Sequence, residues 1–246
     1  MTDQYTTKLI DEEGLETLNA IANANLFNEW MYSRIAPYCS GHILEIGSGI
    51  GNISACFLKN KNTITLSDLR DNYLEILKEK FNVYPTLQGF IKLDLVDPDF
   101  DQKFNHLLGT FDTVYALNVI EHINDDIKAI ANCKKLLREN GTLVILVPAY
   151  QLLYNRFDKE LEHFRRYTRS SLNKLMLSND LKLIRTNYFN LAGIPAWFLF
   201  GRILNRKTIE SGPMNLYNKL VPFLKLIDKM VFNQIGLSVI CIARKM

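Results

Sequence analysis

The run Leu44-Glu45-Ile46-Gly47-Ser48-Gly49-Ile50-Gly51-Asn52 starts as a strand and passes, through three alternating glycines, into a helix. Glycine has no Cβ, so backbone N–H groups in such a turn approach a bound molecule closely, at the positive end of the helix dipole. Alone, the run is equally a tight strand-to-helix turn. Its surroundings carry more weight. Short β-rich runs alternate with helical patterns at the spacing of βαβ units, which implies a mainly parallel sheet.

Strands are expected over residues 42–46, 63–67, 89–93, 111–117 and 142–147, the last entered by Asn140-Gly141 and stopped by Pro148. Helices are expected between them, over 52–59, 71–81 and 125–138. Upstream, residues 14–38 read as helical, with Leu15, Leu18, Ile21 and Ala22 on one face. A second helix, over 25–36, carries Phe27, Trp30 and Met31 and ends at Pro37. Downstream come a helix over 169–179, a sixth strand over 182–188, two apolar helix-compatible stretches within 191–236 and a buried seventh strand over 237–243. The expected fold class is α/β, a doubly wound seven-stranded mostly parallel sheet with N-terminal helices and a helical insertion before the last strand. One domain is expected over 1–246: a helical cap over 1–40, a cofactor-binding core over 41–148, and a substrate-side half over 149–246 with a lid around 191–236.

Three carboxylates stand at successive strand ends. Glu45 lies two residues before the first glycine, Asp68 closes the second strand and Asp94 the third. Singly, each reads as a helix N-cap or a solvated turn residue. Together they surround the crevice where strand order reverses, with Asp68 placed to accept ribose hydroxyls and Asp94 an adenine amino group. A nicotinamide dinucleotide wants G-x-G-x-x-G, whereas Gly47, Gly49 and Gly51 alternate. A diphosphate also tolerates Glu45 poorly, while an ammonium-bearing ligand welcomes it. The pattern suits an amino-acid nucleoside better than a dinucleotide.

Bulk properties exclude little else. The 246 residues are 48% hydrophobic and 22% charged, with net charge +3, which is too small to argue for nucleic acid or an anionic membrane by itself. Cys39, Cys56, Cys133 and Cys241 are scattered, as reduced thiols in a cytoplasmic protein would be. His42, His106, His122 and His163 show no HxxxH or His–carboxylate spacing for zinc, so no metal is expected. The opening Met1-Thr2-Asp3-Gln4-Tyr5 is polar and reads as no leader, and the apolar run over 191–200 is about half a membrane span and contains Pro195.

On these residues the sequence resembles the class I S-adenosylmethionine-dependent methyltransferases. The resemblance implies that Glu45-x-Gly47-Ser48-Gly49-x-Gly51-Asn52 meets the methionine part of S-adenosylmethionine, that Asp68 with Leu69 holds the ribose, and that Asp94 with Leu95 holds the adenine. Phe111 through Ile123 is similar to the family's fourth-strand motif, which implies Asn118 and Val119 beside the sulfonium. Leu136-Leu137-x-x-x-Gly141-Thr142-Leu143 is similar to its approach to strand five. Val147-Pro148-Ala149, Leu153-Tyr154, Asp158 and His163-Phe164-Arg165-Arg166-Tyr167-Thr168 resemble a bacterial subgroup often associated with cell-surface or lipid-linked products, as does Asn28-Glu29-Trp30, which implies Trp30 at the cofactor. Phe164 departs from the tyrosine expected after that histidine.

Methyl transfer to oxygen or nitrogen leaves a proton to be removed, so a base is useful. His122 and His163 are the candidates, with Tyr167 as a substrate-orienting group; each is also readable as ordinary loop structure or packing. Arg165, Arg166 and Arg169 are either a solvated face or a recognition site for an acceptor's phosphate or carboxylate. Trp197-Phe198-Leu199-Phe200 and residues 216–231 would wall an apolar acceptor pocket, form a homodimer, or touch a bilayer with Lys219, Lys225 and Lys229 at the headgroups. The expected acceptor is a small or lipid-like molecule. A nucleic acid fits less well: position 117–120 reads Leu-Asn-Val-Ile without the Pro-Pro of amino-methylating DNA enzymes, and no cysteine follows a proline. A cofactor-binding partner subunit without turnover and a dehydrogenase are the other readings.

Overall fold

The computed structural model describes residues 12–246; the opening residues 1–5, read above as no leader, lie outside the described residues, as does the start of the expected cap. Seven strands form one sheet: β1 (Ile43–Ile46), β2 (Ile64–Asp68), β3 (Leu87–Lys92), β4 (Phe111–Leu117), β5 (Leu137–Pro148), β6 (Leu181–Phe189) and β7 (Ser238–Lys245). Their order is β3-β2-β1-β4-β5-β7-β6, with β1 to β5 parallel and β7 antiparallel to both its neighbours. The chain leaves β1 toward β2 on one side and returns to β4 on the other. That reversal opens a crevice at the carboxyl ends of β1 and β4.

Successive side chains of a strand point to opposite faces, and the core is divided accordingly. Leu44, Val114, Ala116 and Ile145 face a cluster with Ile130, Leu136, Leu172 and Met176. Ile43, Tyr115, Val144 and Ile242 face the other, with Trp30, Phe57, Leu77 and Val221. The helices that supply these layers include α1 (Glu12–Ala22), α2 (Asn25–Ile35), α3 (Ser54–Lys59), α4 (Asp71–Phe81), α5 (Phe100–Lys103) and α6 (Asp126–Leu136). After β5 come α7 (Arg156–Glu160), α8 (Arg169–Leu177), α9 (Gly193–Phe198) and α10 (Ser211–Met230).

Leu15, Leu18, Ile21 and Ala22 of α1 are half-buried, and its fully buried residues are Gly14, Thr17 and Ala20. Small residues let α1 lie close against α2 and α10, and Leu18 and Ile21 turn to a cavity. The fifth strand begins earlier than expected. Leu137 already pairs with Phe111, and Asn140, with φ 62°, lies in a four-residue excursion before Thr142 pairs with Thr113.

The insertion before β7 is tied down by a buried carboxylate. Asp228 of α10 accepts hydrogen bonds from the backbone N–H of Asn190 (2.7 Å) and Leu191 (2.8 Å), just past β6. Burial raises its pKa against the pull of those bonds. This latch holds α10 over the crevice side of the sheet, where it packs on α1 and α2.

Candidate functional site

The glycine turn is built on left-handed backbone: Gly47 has φ 66° and Gly51 φ 84°. A Cβ on Gly47 would stand 2.5 Å from Val119 Cγ2, so the turn and the chain after β4 touch only because that atom is missing. The turn is pinned to β2. Ser48 N–H donates to the Ser67 carbonyl at 2.8 Å, and Gly49 N–H donates to Asp68 Oδ2 at 2.8 Å. Asp68 Oδ1 accepts from Arg70 N–H at 3.0 Å. Each oxygen of Asp68 keeps a lone pair for a further donor, and burial raises its pKa.

Glu45 is 4% exposed. Burial pushes its pKa up to about 7, with Asp68 adding to the rise and a hydrogen bond donated by Ser54 Oγ opposing it. Asp94 turns the chain after β3, its Oδ1 accepting from Val96 N–H at 2.8 Å. Asn118, at φ 54°, donates its N–H to the Leu146 carbonyl at 2.8 Å and lies exposed at the end of β4. Glu45, Gly47, Gly49, Asp68, Asp94 and Asn118 line one cavity of about 1010 Å³, at the upper end for a small-molecule site and roomy enough for two ligands.

The far end of that cavity carries a second set of ionisable groups. His163 Nδ1 lies 2.8 Å from Asp158 Oδ1, and Arg166 Nε donates to the same oxygen at 2.8 Å. Burial works against the Asp158 carboxylate, yet His163 and Arg166 hold its pKa below the ordinary value. Arg166 also donates to the Ala149 carbonyl at 3.0 Å and lies 4.6 Å over the Trp197 ring. The His122 and His163 rings meet edge to face, 4.6 Å between centroids. His122 is open to the cavity but enclosed by protein. That enclosure, then the charges of His163 and Arg70, pushes its pKa down to about 3; cavity water softens the fall, but its direction leaves a neutral imidazole near pH 7. Glu121 is fully buried, and burial, reinforced by Asp158 and opposed by Arg166, raises its pKa to about 8.

Residues 44–143 match the family model described as a methyltransferase domain. Over those residues the chain resembles a methyltransferase domain. The match spans the glycine turn, all three strand-end carboxylates and β4. Over 110 residues the chain is 34% identical to the reducing polyketide synthase Preu2 of Preussia isomera, a match covering 44% of this chain and 5% of that one. The fold is shared with phosphoethanolamine N-methyltransferase 2 of Haemonchus contortus, solved with S-adenosyl-L-methionine (TM-score 0.62, 16% identity, 98% of this chain and 58% of that one). It is shared also with a SAM-dependent methyltransferase from Archaeoglobus fulgidus (TM-score 0.57, 16% identity, 89% of this chain and 94% of that one).

Around the cavity, the fold sorts the residues singled out by sequence. Of the residues expected at the cofactor, Trp30 and Gly51 stay outside the cavity wall. Trp30 is 3% exposed and packs its ring 4.6 Å from Phe189, because its helix turns Phe27, Asn28 and Met31 to the cavity instead. Gly51 serves packing: a Cβ there would stand 2.2 Å from Phe81 Cε2. His122, His163, Arg166 and Trp197 meet at the cavity's far end, but Arg165 and Tyr167 do not join them. Tyr167 is 4% exposed and its hydroxyl donates to Asp126 at 2.8 Å, while Arg165 pairs with the same carboxylate at 2.8 Å and with Asn124. Arg166, expected to face an acceptor, spends its guanidinium on Asp158 and Ala149.

Glu121 and Asp158 are site residues that no role was read for in the sequence. Glu121 precedes His122 directly in the turn after β4, inside the stretch that resembles the family's fourth-strand motif. Asp158 belongs to the subgroup resemblance, but its partners lie five and eight residues on and meet it only once α7 folds.

Proposed function

We propose that this chain transfers a methyl group from S-adenosylmethionine to an apolar, lipid-like acceptor. The observation that carries the reading is the single cavity that joins Glu45, Asp68 and Asp94 at one end to the neutral His122 at the other. Asp68 accepts from ribose hydroxyls, Asp94 from the adenine amino group, and Glu45 balances the ligand's ammonium. Asn118 and Val119 then stand near the sulfonium. Transfer is an in-line displacement in which positive charge disperses, so placing the acceptor behind the methyl group in a water-poor pocket supplies much of the rate. The acceptor's proton leaves toward His122. The four cysteines are free, as a reducing cytoplasm keeps them, and we place the reaction there.

The acceptor class is read from the outside of the lid. On α10 the face opposite Val221 and Leu224 exposes Leu216, Leu220, Phe223 (67%), Leu226 and Met230 (76%), and Phe232 follows at 78%. Lys219, Lys225 and Lys229 flank this stripe, whereas Asp228 is buried and Glu210 is paired with Arg206. Such a surface lies on an anionic bilayer, its lysines at the headgroups. A two-fold dimer through the same stripe would set the lysines against their own copies. No helix of the described residues is long and apolar enough to cross a membrane.

Two measurements test this. With labelled S-adenosylmethionine, label is expected in the lipid fraction of vesicles made from bacterial lipid extract; label found only in nucleic acid or aqueous products would overturn the acceptor class. Co-sedimentation with phosphatidylglycerol vesicles is expected, falling at least tenfold in the triple variant K219E/K225E/K229E.

Cofactor affinity should also depend on pH through Glu45. Its pKa in the folded chain is raised to about 7 from 4.5, so its ionisation weakens the empty fold as pH rises across that interval. A cationic ligand needs the ionised form. Below about pH 7 binding must therefore expel a proton, and affinity is expected to fall up to tenfold per pH unit. Calorimetry of S-adenosylhomocysteine binding between pH 5.5 and 8.5 should show this slope in the wild type and a flat profile in Glu45→Gln.

A further inference from the structure

The geometry points to a divalent-cation site formed by Glu121, His122 and His163, a site that the spacing of histidines along the sequence gave no reason to expect. One ligand atom from each of the three lies within 4.8 Å of the others. Their arrangement is chemically unbalanced without a cation. Asp158 holds the Nδ1 edge of His163 at 2.8 Å, which turns Nε2 toward Glu121 Oε1, 4.0 Å away. Neither carboxylate oxygen of Glu121 has a hydrogen-bond partner among the described residues, although the side chain is fully buried. Leaving such a group unpaired is costly, and a cation ligated by it would relieve that cost.

The surroundings have the form of a metal site rather than of an ion pair. A histidine ligand commonly donates its second N–H to a carboxylate, which fixes the ring and its tautomer. Asp158 stands in that place behind His163, and is itself held by Arg166 and by the Asn155 N–H at 2.9 Å. Arg166 neutralises Asp158, so the net charge left to the cation is that of Glu121. Two imidazoles and one carboxylate leave a fourth position for a small molecule, and His122 opens that side to the cavity. Tetrahedral bonds of about 2.0–2.2 Å place ligand atoms roughly 3.3 Å apart, so binding would draw the three side chains inward from their present spacing of up to 4.8 Å. Nitrogen and oxygen donors in this mixture select zinc, cobalt, iron or manganese over magnesium and calcium. A cation here would occupy the His122 lone pair, so it would lower the pKa of an acceptor's oxygen in place of proton transfer to that imidazole.

The site stands on these residues alone and does not depend on what the glycine-turn end of the cavity binds. The probe is Co²⁺, whose visible absorption reports its ligand set, added to the full untagged chain after treatment with a chelator. One equivalent is expected to bind with the intense visible bands of a four- or five-coordinate ion and to be displaced by Zn²⁺. Glu121→Gln, which keeps the shape of the side chain, and His163→Ala are each expected to weaken binding at least 100-fold. Asp158→Asn should weaken it 10- to 100-fold, and His106→Ala, exposed and remote, should leave it unchanged. Absence of the visible bands, or binding that Glu121→Gln does not alter, overturns the site. If S-adenosylhomocysteine still binds in that case, the methyltransferase reading stands without the metal; a variant that fails to unfold cooperatively is set aside in favour of Glu121→Gln.

Discussion

Replacing Gly51 by alanine is expected to cost the fold about 2–5 kcal/mol. The two contributions are separable. At φ 84° a Cβ meets its own backbone, which costs about 1–2 kcal/mol. The same Cβ would stand 2.2 Å from Phe81 Cε2 and 3.0 Å from Leu77 Cδ2, inside a packed cluster, and overpacking of that kind costs about 1–3 kcal/mol. Phe81 is 6% exposed at the end of α4 and cannot swing into solvent without opening the layer above β2. Gly109 provides the comparison. Its φ is 69°, but nothing lies within 4 Å of its missing Cβ, so Gly109→Ala should show the backbone cost alone. Urea unfolding of both variants checks the prediction. A Gly51→Ala loss no larger than that of Gly109→Ala would show that α4 yields, and that the third glycine is not there for packing.

The contrast between Gly47 and Gly51 marks how far a sequence reaches. Alternating glycines after a strand were legible as a turn that brings backbone to a ligand, and Gly47 and Gly49 do line the cavity. Gly51 has the same spacing and a different purpose, because what it must avoid, Phe81, is thirty residues away and arrives through α4. The sheet was legible for a related reason. Each parallel strand is a short β-rich run set off by helical patterns, and the order of carboxylates Glu45, Asp68 and Asp94 is read along the chain. Trp30 shows the limit on the helical side. A tryptophan in an N-terminal helix over a cofactor crevice is plausible from its position, but rotation of α2 by one residue decides between cavity and core, and Phe189 takes the ring. The same holds for Arg165 and Arg166. Neighbours in sequence, they leave the backbone on opposite sides, one to Asp126 at the surface and one to the buried Asp158.

His122→Ala is expected to lower turnover 10²- to 10⁴-fold while leaving cofactor affinity within about threefold, whereas Tyr167→Phe should keep most of the turnover and lose stability instead. The range is that of a group that takes up or directs a proton in the transition state. His122 earns this expectation by position. It follows β4 by five residues, close after Asn118 and Val119, and it is open to the cavity. The other histidine is 8% exposed and its Nδ1 is committed to Asp158. Tyr167 sits outside the cavity wall, its hydroxyl donating to Asp126, so removing that oxygen breaks a half-buried charged hydrogen bond worth about 1.5–3 kcal/mol and touches no ligand. Single-turnover transfer of labelled methyl, read beside unfolding curves for both variants, separates the two roles. Equal turnover in His122→Ala and the wild type would mean that no imidazole is needed at this position, and would move the proton's destination to water or to an acceptor that carries none.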